Sequence, residues 1–216
     1  MFKDMFKENG KILLLALGLL VAATIAMISV KTGGYTNNIS NSGEKQTYTN
    51  YVPSIEDGVD YQAKIKTSYG DITIDLFEQE TPITVNSFLF LAGEEFYNNL
   101  TFHRVVQNFV IQAGDPNGDG TGGPGYTFVN EITDREYEAY SVGMANAGAN
   151  TNGSQFFIVS ANISQDNIDV LNGNYTIFGE VISGFAVVDS IERASVDAED
   201  KPTNDITIES IQILEM

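Results

Sequence analysis

Between Lys11 and Lys31 the chain runs through ILLLALGLLVAATIAMISV, nineteen residues without a charge. As a helix such a stretch covers roughly 28 Å, about one hydrocarbon core. It constrains everything after it, because the rest of the chain must then fold after export. Three Lys precede the run and one follows, which orients the N-terminus inward and the remainder outward. The run is long for the apolar part of a removable signal, and no A-x-A-like site closes it. Residues 12–30 are therefore read as a single-pass anchor behind a short cytoplasmic segment at 1–11, with a cleaved signal peptide as the alternative. The first reading puts the remaining chain outside the cell membrane, and the second has it secreted.

Charge divides along the same line. The chain carries 11 Lys+Arg against 29 Asp+Glu, a net charge of −18. Residues 1–31 hold four Lys and two acids, so the remainder, with 7 basic and 27 acidic side chains, carries −20. Such a surface cannot replace counterions around phosphates, and nucleic acid is excluded as a partner. With no Cys and a single His, disulfides, thiolate chemistry and clustered metal ligands drop out together. No metal or cofactor is expected.

From Thr32 to Asn50, 13 of 19 residues are Thr, Gly, Asn or Ser. That composition predicts a flexible polar linker, drawn here over 31–58. Compact patterning begins near Val59, so one domain is expected over 59–216. Tyr61–Thr67 and Ile72–Leu76 alternate around Ser68-Tyr69-Gly70, the pattern of a β-hairpin. Thr81-Pro82 starts a helix with Val85, Phe88, Leu89 and Ala92 on one face and a stop at Gly93. Further short strands are predicted at 109–113, 155–159 and 176–182. Phe185, Val188 and Ile191 mark a second helix, and a last strand over 206–214 changes parity after Ile208, as at a bulge. Many short strands with two helices predict a mainly β architecture.

Two motifs fail on context. Asp115-Pro-Asn-Gly-Asp-Gly120 starts like a calcium loop, but the twelfth position is Tyr126 where a bidentate Glu is needed. Gly118-Asp-Gly-Thr-Gly-Gly123 has phosphate-loop spacing, but Pro124-Gly125 stand where the helix would begin. Three longer strings carry more: Phe102-His-Arg-Val-Val-Gln-Asn-Phe-Val-Ile-Gln-Ala-Gly-Asp115, Gly120-Thr-Gly-Gly-Pro-Gly-Tyr-Thr-Phe128, and Gly143-Met-Ala-Asn-Ala-Gly-Ala-Asn-Thr-Asn-Gly-Ser-Gln-Phe-Phe-Ile-Val159. With Tyr175-Thr-Ile-Phe-Gly-Glu-Val181, these closely resemble the cyclophilin family of peptidyl-prolyl cis–trans isomerases, from about Tyr61 to Leu214.

The resemblance implies an eight-stranded antiparallel β-barrel capped by two helices. It also implies an enzyme that turns X-Pro bonds in proline-containing polypeptides, which the N-terminal run makes exported ones, and a monomer is expected. That reaction makes and breaks no covalent bond, so neither nucleophile nor metal is required. By resemblance Arg104 is the hydrogen-bond donor to the twisted amide nitrogen, with Phe109 and Gln112 beside it in the catalytic set. Val110, Phe157 and Leu171 complete the proline pocket with Phe109. Gln155, Asn146, Ala145 and Ala147 hold the substrate, the last three chiefly through main-chain groups, and His103 and Tyr175 line the site. Taken alone, Phe109 and Phe157 read as core, His103 as a packed histidine and Arg104 as a solvated charge. The 160–174 connection is longer than the family's usual one and sets Val170 where many members carry Trp. The alternative expectation is a peptide-binding chaperone or interaction module without turnover.

Overall fold

The alternating segments become strands β1 (Tyr61–Thr67) and β2 (Gly70–Leu76) in a computed structural model that describes residues 46–216. Ala63 pairs with Ile74 and Ile65 with Ile72, so one side of the hairpin delivers a fully buried apolar row. Helix α1 (Pro82–Gly93) follows. Its predicted face, Val85, Phe88, Leu89 and Ala92, is buried, and Phe88 packs its ring 5.7 Å from Phe156 and 5.3 Å from Phe178. Thr81 stands at the N-cap, but its hydroxyl donates back to the Phe77 carbonyl. The cap comes instead from Glu131, whose carboxylate accepts from Ile83 N–H (3.0 Å), Thr84 N–H (2.8 Å) and the Thr84 hydroxyl (2.7 Å). A negative charge there also complements the helix dipole.

Strands β3 (Arg104–Val106), β4 (Val110–Ala113), β5 (Ser141–Met144) and β6 (Phe156–Val159) come next, then helix α2 (Gln165–Leu171), β7 (Ile177–Ser183), α3 (Phe185–Glu192) and β8 (Ile208–Glu215). All pairings are antiparallel within one sheet ordered β3-β4-β6-β5-β7-β2-β1-β8. The parity change in β8 is a bulge: Lys66 pairs with Ser210 and Thr67 with Ile208. In α3, Val188 and Ile191 enter the core, while Phe185 stays exposed with its ring against Tyr140.

Two expectations are corrected. The barrel is a half-barrel: β3 has only three residues, and Asn99 adopts a left-handed φ of 64° just upstream. The segment before β3 meets the segment before β8 through one isolated bridge, Thr101 to Thr207, with flanking backbone bonds such as Phe102 N–H to Ile206 O (2.9 Å). The described residues hold three helices, since α2 forms inside the long 160–174 connection. The Ser164 hydroxyl accepts from Asn167 N–H (3.3 Å) and Asp166 sits in the first turn, so local capping nucleates a helix that buries only Leu171.

The described part of the polar linker, 46–58, also packs on the domain. Tyr48 lays its ring edge-on to Phe90 at 5.0 Å, and Asn86 Oδ1 accepts from Ser54 N–H (2.7 Å) and Ile55 N–H (3.1 Å). The anchor at 12–30 and the segment 1–11 lie outside the described residues. Among those described, no helix is long and apolar enough to cross a membrane.

Candidate active site

Strand alternation sorts the side chains of β4 and β6 to two faces. Ile111, Ala113, Phe156 and Ile158 join the main core. Val110, Phe157 and Val159 belong to a second, separate apolar cluster, and Gln112 shares their face. Cross-strand register then lines up three residues: Arg104 opposite Gln112, and Gln112 opposite Phe157. Residues from three strands thus meet on the outer face of the sheet.

The second cluster gathers most of the predicted proline pocket. Val110, Phe157 and Leu171 are buried in it, and Phe109, Ala145 and Tyr175 pack against it half-buried. Tyr175 meets Phe157 edge-on at 5.8 Å, while Tyr137 stacks behind Phe157 at 5.7 Å. Gly143 makes that stack possible, because a Cβ there would collide with the Tyr137 hydroxyl and the Phe157 ring. Val170, by contrast, is 57% exposed on α2.

Arg104 is half-buried beside this cluster. Its Nη1 donates to Gln112 Oε1 at 3.4 Å, and its Nε lies 3.8 Å from Asp200 Oδ2. Both contacts are long, so a five-donor guanidinium keeps hydrogen-bonding capacity for a ligand. Gln112 is oriented from behind. The Gln155 amide nitrogen donates to Gly120 O (3.0 Å) and Gly122 O (2.9 Å), which turns its oxygen to accept from Gln112 Nε2 at 2.9 Å. The Gln112 oxygen is thereby left facing Arg104.

Beyond Gln112 opens a groove of about 810 Å³, lined by Gln112, Gln155, Ala145, Asn146, Ala147 and the glycine-rich loop from Gly120 onward. Ala145 N–H donates to Gln155 O (2.9 Å) and Ala147 N–H to Thr151 Oγ1 (2.9 Å), so the main-chain groups these two residues can offer a peptide are their carbonyls. The Asn146 amide is held by Asn152 Oδ1 (3.3 Å). Asp115, buried under the loop, accepts from Asn117 N–H (2.7 Å) and Asp119 N–H (3.0 Å). The failed calcium motif is thus a self-braced turn.

His103 does not line this groove. It is buried next to Arg104, and neither ring nitrogen reaches full hydrogen-bond geometry with a described residue. Burial lowers its pKa from the ordinary imidazole value. Asp115 and the nearby Thr101 backbone oppose that shift only in part.

Sequence reasoning missed several supporting residues. Tyr137 backs Phe157, and Asp200 faces Arg104. Glu192, buried at the end of α3, accepts from Asn108 N–H at 2.8 Å and fixes the β3–β4 turn that presents Phe109. Each comes from a segment remote in sequence, and no local pattern marks it.

The profile of the cyclophilin type peptidyl-prolyl cis-trans isomerase/CLD family matches residues 62–213. The chain belongs to the cyclophilin family. Among curated cyclophilins it is 42% identical to peptidyl-prolyl cis-trans isomerase A of Mycobacterium tuberculosis over 170 residues, covering 70% of this chain and 91% of that protein. It is 46% identical to peptidyl-prolyl cis-trans isomerase cyp15 of Rhizopus delemar over 157 residues, but spans only 24% of that longer protein. A solved cyclophilin type isomerase from Cryptosporidium parvum superposes with a TM-score of 0.66 at 37% identity, covering 72% of this chain and 98% of that one. The same protein solved in the presence of the dipeptide Ala-Pro gives a TM-score of 0.65 at 38% identity. The eight antiparallel strands and three helices are the cyclophilin fold, and the activity class is peptidyl-prolyl cis–trans isomerisation.

Proposed function

We propose that this chain accelerates X-Pro isomerisation in exported polypeptides, using Arg104 as an electrostatic donor and the second apolar cluster as the grip on the proline ring. The observation that carries the reading is the cross-strand line Arg104–Gln112–Phe157, which sets a cation with unused donors beside an apolar cluster outside the core. An X-Pro amide resists rotation by about 20 kcal/mol because twisting breaks its resonance. At the twist the proline nitrogen regains a lone pair and accepts a hydrogen bond. A fixed donor aimed there binds the twisted state more tightly than either planar one, and the barrier falls. Arginine stays charged across the accessible pH range and holds its fork rigid.

Phe109, Val110, Phe157 and Leu171 take the ring, while Gln112 and Gln155 hold Arg104 in register. No proton moves and no bond is made. The export context rests on the uncharged run at 12–30 and on the acidic remainder. In this reading the run stays uncleaved as a single-pass anchor, and the enzyme works as a monomer outside the membrane.

The test is the exchange rate between cis and trans forms of an uncharged X-Pro peptide, measured by NMR with the full chain in detergent. Exchange well above the uncatalysed rate is expected. Peptide binding with no added exchange would favour the chaperone alternative. For the anchor, the intact mass of the protein extracted from membranes must include residues 12–30, and a shorter mature form would overturn it.

A further inference from the structure

The strap at 46–55 precedes the 62–213 family region, yet it reaches the peptide groove. Thr47 lines that groove together with Gln112, Gln155 and Ala145–Ala147. Tyr48 N–H donates to the Pro124 carbonyl at 2.7 Å. Its neighbour Gly125 has a φ of 97°, and a Cβ there would strike the Tyr48 carbonyl. Tyr48 is pinned from the other side by Phe90 and by Phe96 (6.3 Å), and Tyr51 leans on Tyr126, itself a groove residue, at 6.1 Å. Ordering a segment this polar costs about 1–2 kcal/mol per residue in backbone entropy, so it stays in place only because these rings and backbone bonds hold it. Every described residue lining the groove is uncharged, in a chain of net charge −18.

We infer that the strap is a built-in wall of the peptide groove, through which Thr47 contacts uncharged residues of the substrate beyond the proline. This rests on the isomerase reading for its substrate class. The physical argument is that Thr47 and the Gly125 backbone meet at one edge of the groove, so a peptide long enough to leave the proline pocket on the Gln155 side runs against the strap. A blocked dipeptide is too short to reach it. No lining residue carries a charge, so an acidic or basic side chain would lose water there without gaining a charged partner, whereas an uncharged one would not. Specificity at this wall is then a property of the strap as well as of the barrel.

The experiment compares two substrates, a blocked Ala-Pro dipeptide and an uncharged octapeptide with a central Ala-Pro, in the full chain and three variants. Thr47→Trp fills the groove, Tyr48→Ala releases the strap, and Tyr48→Phe keeps the ring and the backbone bond. The expected result is a fall in the octapeptide-to-dipeptide ratio of kcat/KM, through KM, by roughly tenfold in Thr47→Trp and Tyr48→Ala, the scale of one pocket contact. Tyr48→Phe should restore the wild-type ratio. An unchanged ratio, or equal losses on both substrates, would overturn the wall. If the wild type turns over neither substrate, the isomerase reading fails by itself. The strap is then judged by fluorescence anisotropy of the labelled octapeptide, where Thr47→Trp must weaken binding and an unchanged affinity overturns the inference.

Discussion

Phe156 and Phe157 are neighbours on β6, nearly equally buried at 0% and 4% exposure, and they belong to different parts of the molecule. Phe156 enters the main core, in edge-to-face contact with Phe88 (5.7 Å) and Tyr97 (5.8 Å). Phe157 joins the outer cluster, stacked on Tyr137 and across the ladder from Gln112. Burial alone therefore says nothing about role. What separates the two is the pleat, which sends successive residues to opposite faces, and the neighbours each face supplies. One face is packing throughout, while the other combines apolar surface with a guanidinium and two ordered amides.

Alanine at each position should separate stability from activity. Phe156→Ala is expected to cost about 3–5 kcal/mol, read as a lower denaturation midpoint, while the folded fraction keeps its kcat/KM. Phe157→Ala should cost less stability, yet lower kcat/KM by roughly tenfold or more through KM, since about 1.5–2 kcal/mol of apolar contact with the proline ring is lost. If both variants lost activity only in proportion to unfolding, the two faces would not differ in role.

A smaller effect sharpens the core side of the comparison. Glu131→Ala removes the remote cap of α1 and should cost about 1–2 kcal/mol in thermal or denaturant unfolding, with kcat/KM of the folded enzyme unchanged. A larger activity loss would show that α1 and the site are coupled.

The smallest effect concerns His103. Its pKa is lowered in the folded state, chiefly by burial, so the unfolded chain binds the proton first as pH falls. Its contribution to stability is therefore whole above the ordinary imidazole value near 6.5 and is lost as pH drops through it toward the lower folded value. Denaturation of wild type and His103→Gln between pH 5 and 8 should show the wild type losing more stability on acidification. The kcat of the wild type should stay flat over the same window, because no proton is transferred. A sharp titration in kcat would place His103 in the chemistry.

The sequence made much of the scaffold legible where periodicity was strong. β1, β2, α1 and α3 could be read from apolar spacing, and the bulge in β8 from the parity change after Ile208. β5 (Ser-Val-Gly-Met) escaped because all four residues are buried, which leaves no alternation to see, and β3 because three residues carry no period. α2 offers one buried residue and so no stripe. The site was legible through its motif strings, which placed Arg104, Gln112 and Phe157 together. Asp200, Tyr137, Glu192 and Thr47 were not, since each reaches the site by tertiary packing from a distant segment. The strap was hidden for another reason: two tyrosines within a polar run do not alter its composition, yet their rings fix it to the domain.

The central claim is that a preorganised arginine, rather than an acid, a base or a nucleophile, lowers the rotational barrier. Its most direct measurement is single-substrate isomerisation by the full chain and by Arg104→Ala, with kcat and KM separated and the melting temperature of each recorded. The account predicts a fall in kcat of roughly 10²–10³-fold, the loss of about 3–4 kcal/mol from one fixed donor, with KM little changed and the fold as stable as before. A variant that keeps the wild-type kcat, or loses activity only by unfolding, would contradict it.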